Sequence, residues 1–117
     1  MNVLDGMQVI QEKTCINFIP KEDQDSRHHI KFIKSKNGCG TSVGYHENTK
    51  KEPQVVAYSE DCLSQIAAIE HELLHVLGLF HEQSRYDRDE YVDIFWENIE
   101  KCKLFSLFNS YGKYQNN

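Results

Sequence analysis

His71-Glu72-Leu73-Leu74-His75-Val76-Leu77-Gly78-Leu79-Phe80-His81 is the stretch on which the reading of this chain turns. Ile66, Ile69, Leu73, Val76 and Leu77 recur at three- and four-residue spacing, which makes one apolar stripe on an α-helix. His71 and His75 are four apart, so both imidazoles lie on one face and can reach a common metal ion. Glu72 lies beside that face, where a carboxylate can take a proton from a water at the metal. Gly78 tolerates the left-handed conformation that ends helices, and the turn it permits returns His81 as a third ligand. Three histidines leave one tetrahedral position open, the pattern of a catalytic zinc site rather than a closed structural one. The plainer alternative is three unrelated histidines on a core helix. It requires the His pair, the glycine and His81 to fall at these spacings by accident.

Upstream, the helix is expected to start near Asp61 to Ser64, either of which could cap it. Gln54-Val55-Val56-Ala57-Tyr58 reads as a strand, as does His29 to Lys34, and Thr41 to Tyr45 reads as a short one. Thr14-Cys15-Ile16-Asn17-Phe18-Ile19 alternates, is rich in β-formers and stops at Pro20, so it too predicts a strand. Val3, Met7, Ile10 and Gln11 give a helical stripe that Gly6 weakens. Asn37 to Gly40 is a turn cluster, and Lys21 to Arg27 and His46 to Pro53 are polar loops. Downstream, Ser84 to Glu90 is dense in charge and reads as loop. Tyr91 to Ile94 looks extended, Phe95 to Phe108 helical, and Tyr111 to Asn117 frayed. The fold class predicted is α+β, a small mixed sheet packed on a long helix.

The chain has 117 residues, a length that suits one domain over 1–117. With 39% hydrophobic and 26% charged residues it has the composition of an ordinary soluble domain. A net charge of -5 argues against nucleic acid as partner, since phosphate binding needs a basic face. No segment is apolar for long enough to span a membrane, and the N-terminal residues do not read as a signal peptide. His28, His29 and His46 lie in or beside polar loops and read as solvated, and Lys31, Lys34 and Lys36 mark a solvent face. Phe95, Trp96, Phe105 and Phe108 read as core or as an exposed apolar patch. Cys15, Cys39, Cys62 and Cys102 allow three pairings if all are bridged, and none forms a C-x-x-C knuckle. Bridged cysteines would mean an oxidising compartment, and four free thiols are the alternative.

The longer string from His71 to Val92 resembles the signature of the astacins, a branch of the metzincin zinc endopeptidases. Glu82 directly after the third histidine, then Arg85 and Asp87-Arg88-Asp89, carry the resemblance. Glu12 to Phe18 and Cys39-Gly40-Thr41-Ser42-Val43-Gly44 also look like astacin segments, so the likeness runs at least from Val3 to Ile99. It implies the upper half of a metzincin-like protease fold, with zinc signature 71–81 and family signature to 92. It implies one zinc ion held by His71, His75 and His81, and Glu72 as the general base that activates the zinc-bound water. The activity implied is peptide-bond hydrolysis in a polypeptide substrate, in an extracellular setting. Gln54, Val55, Val56, Ala57 and Tyr58 match the edge strand that aligns an extended substrate by β-type pairing. Cys39 and Cys62 match a family disulfide.

The departures from the family pattern carry expectations of their own. No methionine follows Met7, so the methionine turn under the metal is missing. Asn109 stands where an alternative alignment would put that methionine, and Tyr111 is not named a ligand. The C-terminal half is therefore expected to be largely missing. A truncated zinc-binding fragment with little or no activity is the alternative function. Cys15 matches a cysteine whose partner lies in that half and Cys102 matches none, so both are expected to be free thiols. Glu82 would pair with the family's mature N-terminus, here without a counterpart, so it is expected to be solvated or served by another donor.

Overall fold

The first helix, α1 (Val3–Lys13), begins with a complete capping box. The Asn2 side chain accepts from the Leu4 and Asp5 amides at 2.8 and 3.2 Å, and Asp5 accepts from the Asn2 amide at 2.7 Å. The structure is a computed structural model that describes residues 2–22, 28–45 and 52–100. Cys102, His46, Phe105, Phe108, Asn109 and Tyr111 lie outside the described residues, as do the expectations placed on them. The chain divides into two compact units, Met1–Leu79 and Phe80–Asn117.

In the first unit the sheet has three strands, β1 (Ile30–Lys34), β2 (Gly40–Thr41) and β3 (Gln54–Tyr58), in the order β1-β3-β2. β1 runs parallel to β3 with Ile30 opposite Gln54 and Lys34 opposite Tyr58. β2 runs antiparallel to β3, with Gly40 opposite Ala57 and Thr41 opposite Val56. The sheet is mixed, as expected. The expectation that β3 is an edge strand is corrected: among the described strands it is the central one. Strand β1 takes one side of its backbone, while β2 and the Thr41 hydroxyl, which donates to the Val55 carbonyl at 2.9 Å, take groups on the other. Its side chains alternate as a core strand's do, with Gln54, Val56 and Tyr58 buried.

Thr14 to Ile19 forms no strand among the described residues. Among the described residues its alternation finds no ladder partner, and the tail of α1 captures its polar groups instead. The Thr14 hydroxyl donates to the Ile10 carbonyl at 2.7 Å and accepts from the Ile16 amide at 3.1 Å. The Phe18 amide donates to the Gln11 side chain at 2.7 Å. Such side-chain bonds offer the backbone an alternative to a ladder.

The helix expected from Asp61 onward is two helices, α2 (Glu60–Leu63) and α3 (Ile66–Val76). Ser59 caps α2 by accepting from the Cys62 amide at 3.3 Å, and the Ser64 hydroxyl donates to the Asp61 carbonyl at 2.6 Å. Gln65, with φ -119° and ψ 111°, breaks the helical path before Ile66. Cys62 is bonded to Cys39, 23 residues away with Cα atoms 6.2 Å apart, which is the pairing the resemblance implied. Closing that loop should stabilise the fold by about 3 kcal/mol in the chain-entropy model. Cys15 is a free, exposed thiol.

Ile10, Val56, Tyr58, Cys62, Ile69 and Leu73 form the core, where α1 and α3 cross against β3. Gly6 makes the helix crossing possible. A Cβ there would stand 2.5 Å from Ile69 Cγ2 and 3.3 Å from its Cβ. Alanine would normally strengthen a helix interior by about 1 kcal/mol over glycine. Here the fully buried Ile69 cannot retreat, so Gly6→Ala is expected to destabilise by about 1–3 kcal/mol, read as a lower urea midpoint.

In the second unit, Glu82–Ser84, Arg88–Glu90 and Trp96–Asn98 are short 3₁₀ turns. Tyr91 to Ile94 makes no strand, and the part of the expected Phe95 to Phe108 helix that is described is a single 3₁₀ turn. Phe95 is exposed and Trp96 partly so.

Candidate metal centre

The exit of α3 sets up the site. After Val76 the helix closes through Leu77 and Gly78, and Gly78 takes φ 99°. The Gly78 amide donates to the His75 carbonyl at 2.9 Å and the Leu79 amide to the Leu74 carbonyl at 3.0 Å. Such a helix ending needs the left-handed residue that glycine supplies. The turn brings the Leu79 carbonyl to 2.7 Å from His75 Nδ1. A carbonyl only accepts, so Nδ1 carries the proton and Nε2 is the nitrogen left with a lone pair for a metal. This backbone partner of His75 is not visible in residue types, because any residue at position 79 could supply it.

The His71 and His75 rings meet edge to face, with centroids 4.4 Å apart and planes at 78°. Among the described residues, His71, His75 and His81 form a group able to hold a metal ion. One ligand atom from each lies within 4.8 Å of the others. Three neutral imidazoles suit zinc, copper, iron or nickel, and not a hard ion such as calcium.

Glu72 is 6% exposed, on the same helix and one residue from His71. Tyr58 is buried, and its phenol donates to the Ile69 carbonyl at 3.0 Å. Burial, and secondarily the Glu72 carboxylate, push the Tyr58 hydroxyl well above its ordinary value of 10.0, so it stays a neutral donor. Tyr58 is thus a buried tie between β3 and α3, and Val56 on the same face of the strand is fully buried.

Glu82 is exposed and served by Arg85, whose Nη1 donates to Glu82 Oε2 at 3.2 Å. Both alternatives foreseen for Glu82 thus hold together. Arg85 also grips Asp87 with two parallel bonds of 2.8 Å and stands 5.8 Å from the Tyr91 ring. The hydrogen bond from Arg85 holds the Asp87 carboxyl below its ordinary 3.8, and Asp87 in turn raises Arg85. Arg88 is 5% exposed, donates to the Gln83 carbonyl at 3.0 Å and lies 5.3 Å from the Trp96 ring. His28 and His29 are half-buried rather than solvated, with the His28 ring edge-on to Tyr45 at 4.9 Å, and neither belongs to the metal group.

The chain matches the model of the peptidase family Astacin over residues 1–116. It is 42% identical over 88 residues to the zinc metalloproteinase dpy-31 of Brugia malayi, covering 75% of this chain and 14% of that protein. It is 38% identical over 99 residues to the low choriolytic enzyme of Oryzias latipes, covering 85% of this chain and 34% of that protein. Among solved structures it resembles high choriolytic enzyme 1, a hatching enzyme zinc-protease of Oryzias latipes. That match has a TM-score of 0.72 at 31% identity and covers 90% of this chain and 49% of the other. The chain thus spans 14% to 49% of the length of these proteins. Matched by the family model from residue 1 to 116, and similar in structure to a hatching enzyme over 90% of its length, the chain belongs to the astacin family.

Proposed function

We propose that this chain is the zinc-binding part of an extracellular metalloendopeptidase that hydrolyses peptide bonds in polypeptides. His71, His75 and His81 hold one zinc ion, and Glu72 is the general base. The observation that carries this reading is the trio of imidazole nitrogens within 4.8 Å of one another, two of them on the helix that also carries the buried Glu72. Zinc, when bound, polarises the scissile carbonyl and lowers the pKa of the attacking water. Glu72 takes the proton from that water and delivers it to the leaving amine, a role that needs a carboxylate held in place but able to exchange a proton. His75 presents Nε2 because its Nδ1–H is committed to Leu79. Secretion is supported by the Cys39–Cys62 bridge, which persists in oxidising compartments.

An extended substrate needs a sheet edge to pair with. Since β3 is central among the described strands, the described edge next to α3 is β2, whose continuation bonds to α3. The substrate-aligning role passes in this reading from Gln54–Tyr58 to the neighbourhood of Gly40 and Thr41. A second reading is zinc binding with little turnover.

Zinc titrated against a chromophoric chelator should bind at one ion per chain, and His75→Ala should lose it. Cleavage of an unfolded protein substrate, stopped by a chelator, separates the two readings. A chain that takes up no zinc sinks both.

A further inference from the structure

The chain leaves β2 at Thr41 and reaches the metal helix within a few residues. The Gly44 amide donates to the His75 carbonyl at 2.8 Å, and the Gly78 amide donates to the same oxygen at 2.9 Å. A carbonyl has two lone pairs. Those of this metal ligand are therefore both taken, one by the helix's own closing turn and one by the loop from the sheet. Gly44 and Gly78 both take positive φ, 73° and 99°. A Cβ on Gly44 would stand 3.6 Å from the Gly78 Cα, so the two glycine backbones face each other at contact distance. The other end of the loop is tied to the sheet, because the Gln54 side-chain amide donates to the Ser42 carbonyl at 2.7 Å. His75 is thus held at its ring by Leu79 and at its backbone by Gly44.

We propose that Gly44 is a positioning residue for the metal centre. It fixes the backbone of His75, and it sets the edge strand β2 in register with that ligand. This rests on the reading of the histidines as zinc ligands. Outer partners that pre-order a ligand raise metal affinity, since less freedom is lost when the ion binds. A residue at position 44 must combine a free amide with a left-handed backbone, which glycine does at least cost.

The test compares zinc affinity, by chelator competition, in the wild type and three variants. Gly44→Ala should bind zinc about tenfold or more weakly, the range of an outer-partner loss. Gly38→Ala is the control. Gly38 has φ 64° but no atom within 4 Å of its Cβ position, so it carries the same backbone strain away from the metal helix. It should bind zinc as the wild type does. Gly44→Asn, which tolerates the left-handed region and keeps the amide, should recover most of the affinity. Equal affinity in Gly44→Ala and wild type, or an equal fall in Gly38→Ala, overturns the proposal. Should Gly44→Ala not fold, hydrogen exchange on the wild type decides. The Gly44 amide should be protected, and more so with zinc, whereas exchange at the free-peptide rate in the zinc-loaded chain overturns it. A wild type that takes up no zinc instead removes the metal reading itself, and that result is distinct from the others.

Discussion

Glutamine in place of Glu72 is expected to lower peptide-bond hydrolysis by about 10²–10⁴-fold, the usual worth of a positioned acid–base group. Zinc uptake should stay nearly unchanged, because the donors are the imidazoles and not the carboxylate. Glutamine has the shape of glutamate but cannot accept and pass on a proton at neutral pH. The position is 6% exposed, and a neutral amide is easier to bury than a carboxylate, so the fold should tolerate it. The measurement is kcat/KM on an unfolded polypeptide, beside zinc content and far-UV circular dichroism. Equal rates for Glu72→Gln and wild type would remove Glu72 from the chemistry. Loss of zinc along with activity would assign it a structural part instead.

Leu73→Ala is the stability counterpart, expected to destabilise by about 2–5 kcal/mol, as large-to-small changes in closed cores do. Leu73 is fully buried and lies between Glu72 and the second histidine in sequence. Its Cδ1 lies 3.6 Å from where a Gly6 Cβ would be, so it fills the crossing of α1 on α3. Ile69 and Val56 belong to the same core cluster, both at 0% exposure, and cannot collapse into the space alanine leaves without moving the sheet. In a domain of this size the melting temperature should fall by roughly 10–20 °C. Leu74, next in sequence, is 39% exposed, so Leu74→Ala should cost under about 1 kcal/mol. A wild-type melting curve for Leu73→Ala, or an equal loss from Leu74→Ala, would mean that α3 packs by a different face.

Much of the metal centre was legible in the sequence because its determinants are local. Two of the candidate ligands lie one helical turn apart and the third follows a glycine stop, so their placement in the chain follows from the helix repeat and one left-handed turn. Gly78 takes the positive φ that its position predicted. The strand at Gln54–Tyr58 and the helix holding Ile69 and Leu73 were legible for the same reason, since their alternation and stripe extend over a whole element. Misreadings arose wherever pairing with a distant segment decides the outcome. Thr14 to Ile19 has the composition of a strand, but strand character is a matter of finding a neighbour, and its hydrogen bonds go to the end of α1. The helix expected from Asp61 is split at Gln65, where neither proline nor glycine marks the break.

The sequence by itself determined which residues could carry the chemistry. The identities and spacing of His71, Glu72, His75, Gly78 and His81 act through bonds and turns only a few residues long. Tertiary structure alone decided the partners. Among the described strands it made β3 central rather than an edge, and it brought Gly44 onto the His75 carbonyl. The physical reason is that a hydrogen bond to a main-chain group, or a place in a sheet, depends on where the chain passes and not on which residue passes there.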